Sequence, residues 1–307
     1  MSEQSVLFDA PGPKAVVRHR IIAVVGTVLL LGLIALIIRG LANPANNQLT
    51  AEKWSPFLTG QAWTAYLLPG LFATLQAAVI AVVLSVILGI LLGMGRLSHL
   101  APLRWVCSIY VEFFRSVPVL MMMLFSYYFG LYALQIYGSG LSLFGVVAGL
   151  TFYNSAVIAE LIRSGVNSLP RGQGEAGLAI GMTPTQSLLT ILLPQAITAM
   201  LPSLVSQLVV ILKDSALGFW INYAELIRAG QNLSTSKGNM IPTLIVLAAI
   251  FIVINYALTR VARWLETRLR SRKGGSATPP ADPLMNPALV AGGSAGATPA
   301  GPAGATT

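Results

Sequence analysis

Few residues in this sequence are equipped for chemistry, and those few sit in unusual surroundings. Lys213 and Asp214 close an apolar run, 201–212. Ionisable groups in such a run are costly and mark either a function or a tie between helices. Adjacent helical residues point in different directions, so two readings stand: a gate or substrate-site pair, or a mutually neutralised structural pair. Gln207 lies one to two turns earlier and Ser215 directly follows. Asn154 occupies another apolar run. Glu160 and Arg163, at its end, have the i,i+3 spacing of an ion pair. Catalytic and metal chemistry have little to work with. His19 and His99 are the only histidines, both beside basic segments, and read as headgroup or surface side chains. Cys107 is the only cysteine, which excludes an intramolecular disulfide and a cysteine-based metal cluster. Met121, Met122 and Met123 read as adaptable packing, and the sequon Asn232-Leu233-Ser234 as chance. No lysine is followed by Ser or Thr, so the chain has no phosphate-binding loop of the G-x-x-x-x-G-K-[S/T] kind.

The elements that carry these residues follow from composition. The 307 residues are 55% hydrophobic and 9% charged, against about 25% charged in soluble domains. Much of the surface therefore faces lipid rather than water. The net charge of +9 does not point to nucleic acid, because the basic residues are interleaved with apolar spans. Runs of about 20 apolar residues cross the hydrocarbon as helices, which satisfy their own backbone groups. Six are expected, at roughly 21–38, 67–95, 117–137, 141–162, 196–217 and 241–258. The first reads as a retained helix rather than a signal peptide, because it is long and Arg39 follows it without an A-x-A-like cleavage site.

Basic residues set the orientation. With both termini in the cytoplasm, fourteen fall inside: Lys14, Arg18, Arg20, Arg96, Arg104, Arg115, Arg163, Arg171, Arg260, Arg263, Arg268, Arg270, Arg272 and Lys273. Five, Arg39, Lys53, Lys213, Arg228 and Lys237, fall outside or at span ends. The expected organisation is a cytoplasmic segment 1–20, a first span with an external loop 21–65, a transmembrane core 66–262 and a basic, then disordered tail 263–307. Trp54 and Trp63 rest at the interface in this reading. The Ala/Gly/Pro-rich end, 274–307, has too little apolar surface to order itself.

The segment 163–195 is neither charged linker nor random polar sequence. Pro170 and Pro184 bracket a helical run, 173–180, which Gly181 closes. A second short helix is expected from Pro184 to about Leu193-Pro194. On the residues alone, this loop is either a plain amphipathic re-entry or a helix that docks into a cytoplasmic partner.

Here the sequence resembles a known family. Glu175-Ala176-Gly177, Gly181 after three residues and Ile191-Leu192-Leu193-Pro194 after nine more are similar to the E-A-A signature of ABC-importer membrane subunits. Gly177 departs from the usual second alanine. Gly70 to Leu75 resembles the opening of polar amino-acid permeases. Tyr110, Arg115 and Pro118 resemble a Y-x-x-x-x-R-G-T-P box, with Ser116 and Val117 in place of Gly-Thr. Glu160, Arg163, Gly165, Pro170, Gly172, Gln173 and Glu175 resemble an E-x-x-R-G-G run ending in P-x-G-Q-x-E, and residues 213–217 resemble K-D-T-S-L. The likeness covers about 66–262.

The resemblance implies an all-α membrane protein of the type I ABC importer fold with about six transmembrane helices and a cytoplasmic coupling helix. Gly172, Gln173, Glu175, Ala176, Gly177, Gly181 and Pro194 would couple it to an ATPase, and the polar residues of the apolar runs, Asn154, Gln207, Lys213, Asp214 and Ser215, are the candidates for its substrate path. It implies no catalytic residue and no cofactor on this chain, with ATP-Mg bound by partner ATPase subunits in two copies. A second permease subunit (a paralogue or a copy), an extracytoplasmic amino-acid-binding protein and membrane lipid complete the partners. The substrate would be a polar amino acid, with glutamate first and aspartate or glutamine next. The alternative is an ion-coupled secondary transporter, but no internal repeat is evident and Asp214 is the only acid well inside a span. A structural protein without transport fits the punctuated loop poorly.

Overall fold

The computed structural model describes residues 12–43 and 47–273. The expected disordered tail, 274–307, lies outside the described residues, as do 1–11 and the tip of the external loop, 44–46. Among the described residues the chain is helical throughout. The principal helices are α1 (Pro13–Leu41), α2 (Leu68–Arg96), α3 (Ala101–Ser116), α4 (Val119–Tyr132), α5 (Ser139–Asn167), α6 (Arg171–Ala179), α7 (Leu193–Asp214), α8 (Leu226–Lys237) and α9 (Met240–Lys273). The described residues fall into two units, one up to Arg263 and one from Trp264. In the second, the Arg268 guanidinium lies 4.1 Å from the centre of the Trp264 ring.

The central helix is α5, and glycine decides how closely its neighbours approach. In α2 the buried positions are small: Gly70, Thr74, Ala77, Ala81, Ser85, Gly89 and Gly93. Their three- and four-residue spacing makes one flat face, the means by which membrane helices approach closely when lipid is as apolar as leucine. A Cβ added to Gly89 would lie 2.7 Å from Ile158 Cβ, and one on Gly93 would lie 3.1 Å from Ile162 Cβ. The numbering rises together in both helices, so α2 and α5 run parallel. The chain between them must therefore cross back.

That return crossing corrects the third expected span. Residues 117–137 do not form one helix. The crossing is a broken pair, α3 and α4, bent by 106°. Pro118 causes the break, since it lacks an N–H and drives Val117 to extended backbone, φ −92° and ψ 133°. The helix ends at Tyr132, and Gly138, at φ +75°, opens α5. Gly130 and Gly145 of α4 and α5 pack against Phe144 and Tyr127 respectively, which sets these two helices antiparallel.

The second correction concerns the helix after Gly181. It begins at Pro184 as expected, with Thr183 and Gln186 forming a capping box. It does not end at Leu193-Pro194. A π-turn over Leu188–Leu192 carries it straight into α7. The wider turn accommodates the ring and missing N–H of Pro194, which falls in the first turn of α7, where a helix tolerates proline.

Of the remaining spans, α1, α5 and α9 run longer than expected, while α2 and α7 fall within three residues of the expected bounds. The last helix continues from Met240 to Lys273. α1 buries no residue, so no other part of the described chain covers it. Beyond it, Gln48 and Lys53 bond Gly238 and Lys237. This brings the end of α1 to the same end of the molecule as the start of α2, where Gly70 packs on Leu226 and Ala229 of α8.

Candidate functional site

Two places gather the functional candidates. The first is the loop at the other end of the helices, where α2 and α5 finish. Pro170 caps α6 and Gly181 closes it in the left-handed region, φ +86°. Of the nine residues of α6 only Gly177 is buried. A Cβ there would lie 2.7 Å from Ser187 Oγ and 3.0 Å from Ile191 Cδ1, so the departure from alanine lets α6 lie directly on the π-turn. Gln195 Nε2 donates to Gln173 Oε1 at 3.3 Å, and also to the Ile191 carbonyl at 3.0 Å. Gln173, Gly177 and Pro194 therefore meet at one elbow. Gly172, Glu175, Ala176 and Gly181 face away from it and are exposed, as are Leu178 at 50% and Ile180 at 75%. An acid and two aliphatic side chains are thus exposed together at this loop.

The second place lies between α5 and α7. Asn154 is fully buried, and its Nδ2 donates to the Leu150 carbonyl at 2.8 Å. Gln207 Nε2 donates to Asn154 Oδ1 at 2.6 Å. These two candidates, 53 residues apart, are in direct contact. The other three are not part of that contact. Ser215 is buried, and its Oγ donates to the Leu212 carbonyl. Lys213 is exposed and Asp214 half-buried at the end of α7.

Sequence reasoning found one pair of a larger ion cluster. Glu160 does pair with Arg163, at 2.5 Å. It also receives Arg96 of α2 at 2.5 Å and Arg115 of α3 at 3.6 Å, while Arg96 reaches Glu112 at 2.9 Å. One carboxylate thus ties the ends of α2, α3 and α5 together, directly beside the break at Val117-Pro118. The clue in the sequence was the placement of Arg96, Glu112 and Arg115 at the ends of apolar segments, but no spacing rule connects residues this far apart.

At the opposite end, Glu225 was not singled out. Its carboxylate is fully buried and accepts the backbone N–H groups of Ile227 and Arg228, both at 2.7 Å, capping α8. Burial pushes its pKa up to about 7, while those two donors and the Arg228 guanidinium pull the other way. Burial and the nearby Glu225 charge push the Tyr223 hydroxyl up to about 12. The sequon serine, Ser234, is buried and donates to the Gln231 carbonyl.

The chain is similar in sequence and fold to known proteins. A family model described as the binding-protein-dependent transport system inner membrane component matches residues 85–271. The glutamate transport system permease protein GluD of Corynebacterium glutamicum is 48% identical over 226 residues, 74% of this chain and 83% of that protein. The glutamate/aspartate import permease protein GltK of Escherichia coli O157:H7 is 33% identical over 66% of this chain and 93% of its own length. Among solved structures, an amino acid ABC transporter crystallised with histidines superposes with a TM-score of 0.61 at 30% identity, covering 67% of this chain and 95% of that one. An inward-facing MetNI methionine transporter shares the fold, with a TM-score of 0.54 at 22% identity.

Proposed function

Since the chain belongs to the family of binding-protein-dependent transport system inner membrane components, we propose that it moves glutamate inward across a bacterial inner membrane, driven by ATPase subunits on other chains. It is a multi-pass permease subunit of an amino-acid ABC importer, with the type I importer fold. Glutamate is the substrate named for the relatives at 48% and 33% identity, and aspartate or glutamine are the nearest alternatives. The full assembly holds two ATPase subunits that bind ATP-Mg, a second permease, a paralogue or a copy, and an extracytoplasmic binding protein that selects the amino acid. Both termini and α6 lie in the cytoplasm, as the charge distribution favours.

The observation that carries the coupling role is the exposed face of α6. The helix is anchored by Gly177 and Gln173 and leaves Glu175 and Leu178 exposed, with Ile180 exposed just beyond its end. ATPase closure pressing on that face reaches α7 through the elbow, and α7 moves against α5 as alternating access requires. Lys213, Asp214 and the Asn154–Gln207 pair then lie along the path.

The test uses reconstituted vesicles containing the permease, its ATPase and its binding protein. Glu175→Ala removes a docking group, and Gly181→Val forces a β-branched residue into the left-handed region. Neither touches a span. Both variants are expected at normal membrane abundance, with glutamate uptake and substrate-stimulated ATP hydrolysis falling at least about tenfold, the loss of one docking contact. Wild-type coupling in both would show that α6 does not transmit the stroke.

A further inference from the structure

The side of α7 that no other described element covers differs from the lipid-facing sides of the other spans. Ala199, Pro202, Ser203, Ser206, Val210 and Lys213 are exposed, and their spacing places them on one face. The equivalent exposed face of α2 is Phe72, Val79, Val83, Ile87 and Leu91. Lipid selects the second kind of face. A row of small and hydroxyl side chains ending in an ammonium group suits water and polar solute.

Gln207 stands at the edge of that row, and its amide has only one orientation. The Leu150 carbonyl can only accept, so it fixes Nδ2 of Asn154 toward itself at 2.8 Å. Asn154 Oδ1 then faces Gln207 and can only accept, which commits Gln207 Nε2 to it at 2.6 Å. Oε1 of this half-buried side chain is left as an acceptor beside the open row.

We propose that this face of α7 lines the passage and receives the transported amino acid, with Gln207 Oε1 accepting a hydrogen bond from its ammonium group and Lys213 Nζ pairing with a carboxylate. Six residues separate the two, about 9 Å along the axis. Two long side chains and a dicarboxylic amino acid span that distance. Asn154 is then a positioning residue, which holds the amide without touching the substrate. The inference rests on the importer reading above and adds the groups that recognise the solute.

The test uses the complete transporter in vesicles, with Cys107→Ala as the parent and single cysteines at Ser203 or Ser206. Val83→Cys on the lipid-facing side of α2 is the control. Both α7 cysteines are expected to react with a membrane-impermeant thiol reagent, and L-glutamate is expected to slow that reaction. Val83→Cys is expected to stay unlabelled. In the parent, Gln207→Leu is expected to raise the apparent KM for uptake about tenfold, with a smaller change in maximal rate, as loss of one charged hydrogen bond requires. Glutamate uptake by the parent is measured alongside. Its absence would overturn the glutamate reading and this one with it. Uptake without labelling, or with labelling that glutamate does not slow, would mean that a helix of the second permease covers this face, and would overturn only the lining role of α7.

Discussion

At the scale of the residue, the groups that matter most are ionisable side chains with little access to water. Glu160 accepts three guanidinium groups, and the Arg96 side chain keeps only 9% of its exposure. Glu160→Gln removes the only carboxylate shared by all three. Breaking a fully buried pair costs ~3–5 kcal/mol; Glu160 retains 21% exposure, so about 2 kcal/mol is expected. The thermal midpoint of the detergent-solubilised complex reads this directly, and an unchanged midpoint would show that Arg96 is satisfied without Glu160. Glu225 makes a claim about pH. Its ordinary value of 4.5 is raised to about 7 in the fold. Between those values the unfolded chain has lost the proton while the folded chain holds it, so stability falls as pH rises through that window. Thermal midpoints measured from pH 4.5 to 7 are expected to decline for the wild type and to decline less for Glu225→Gln. Equal slopes would mean that the two backbone donors keep the group ionised throughout. The Asn154–Gln207 pair was legible in the sequence as two polar residues in apolar runs. Their contact was not, because it depends on the register between α5 and α7. Nothing local to either residue encodes that register.

At the scale of the element, breaks were harder to read than spans. Hydropathy located the long helices, because an apolar run must cross lipid as a helix whatever its neighbours do. The same rule failed over 97–138, where α3 carries Arg104, Glu112 and Arg115 among its apolar residues. Trp105, Ile109 and Phe113 recur every four residues there and are all exposed, which is the helical pattern that a count of apolar residues misses. Pro194 has the sequence signature of a stop, yet the π-turn before it makes the helix continuous. That continuity makes a prediction for Gly177. Alanine is the better helix former by about 1 kcal/mol, but here its Cβ meets Ser187 Oγ at 2.7 Å, and overpacking of this kind costs about 1–3 kcal/mol. The clash wins. Gly177→Ala is expected to weaken substrate-stimulated ATP hydrolysis, and adding Ser187→Ala, which removes that oxygen, is expected to restore part of it. Full activity in the single variant would show that α6 has room to lift.

At the scale of the whole molecule, the parallel run of α2 and α5 fixes the parity of the crossings. With α3 and α4 making the return, the proposed six crossings would carry both ends of the chain to the cytoplasmic side, as the basic residues favour. A reporter active only in the cytoplasm, fused after Lys273, is expected to work. Activity of a periplasm-dependent reporter there would reverse the assignment. The solitary state of α1 has a consequence for how errors are tolerated. Every other span shares its retention in the bilayer with side chains of its own chain, so a polar intruder can find a partner. α1 buries nothing against the rest of the chain. A single arginine at its middle therefore finds no partner within the described chain, and costs about 2.5–3.5 kcal/mol where the helix faces lipid. The same helix has no shape to match within its own chain, so it is free to vary in the order of its aliphatic residues. Packing within the described chain constrains its composition and not its sequence.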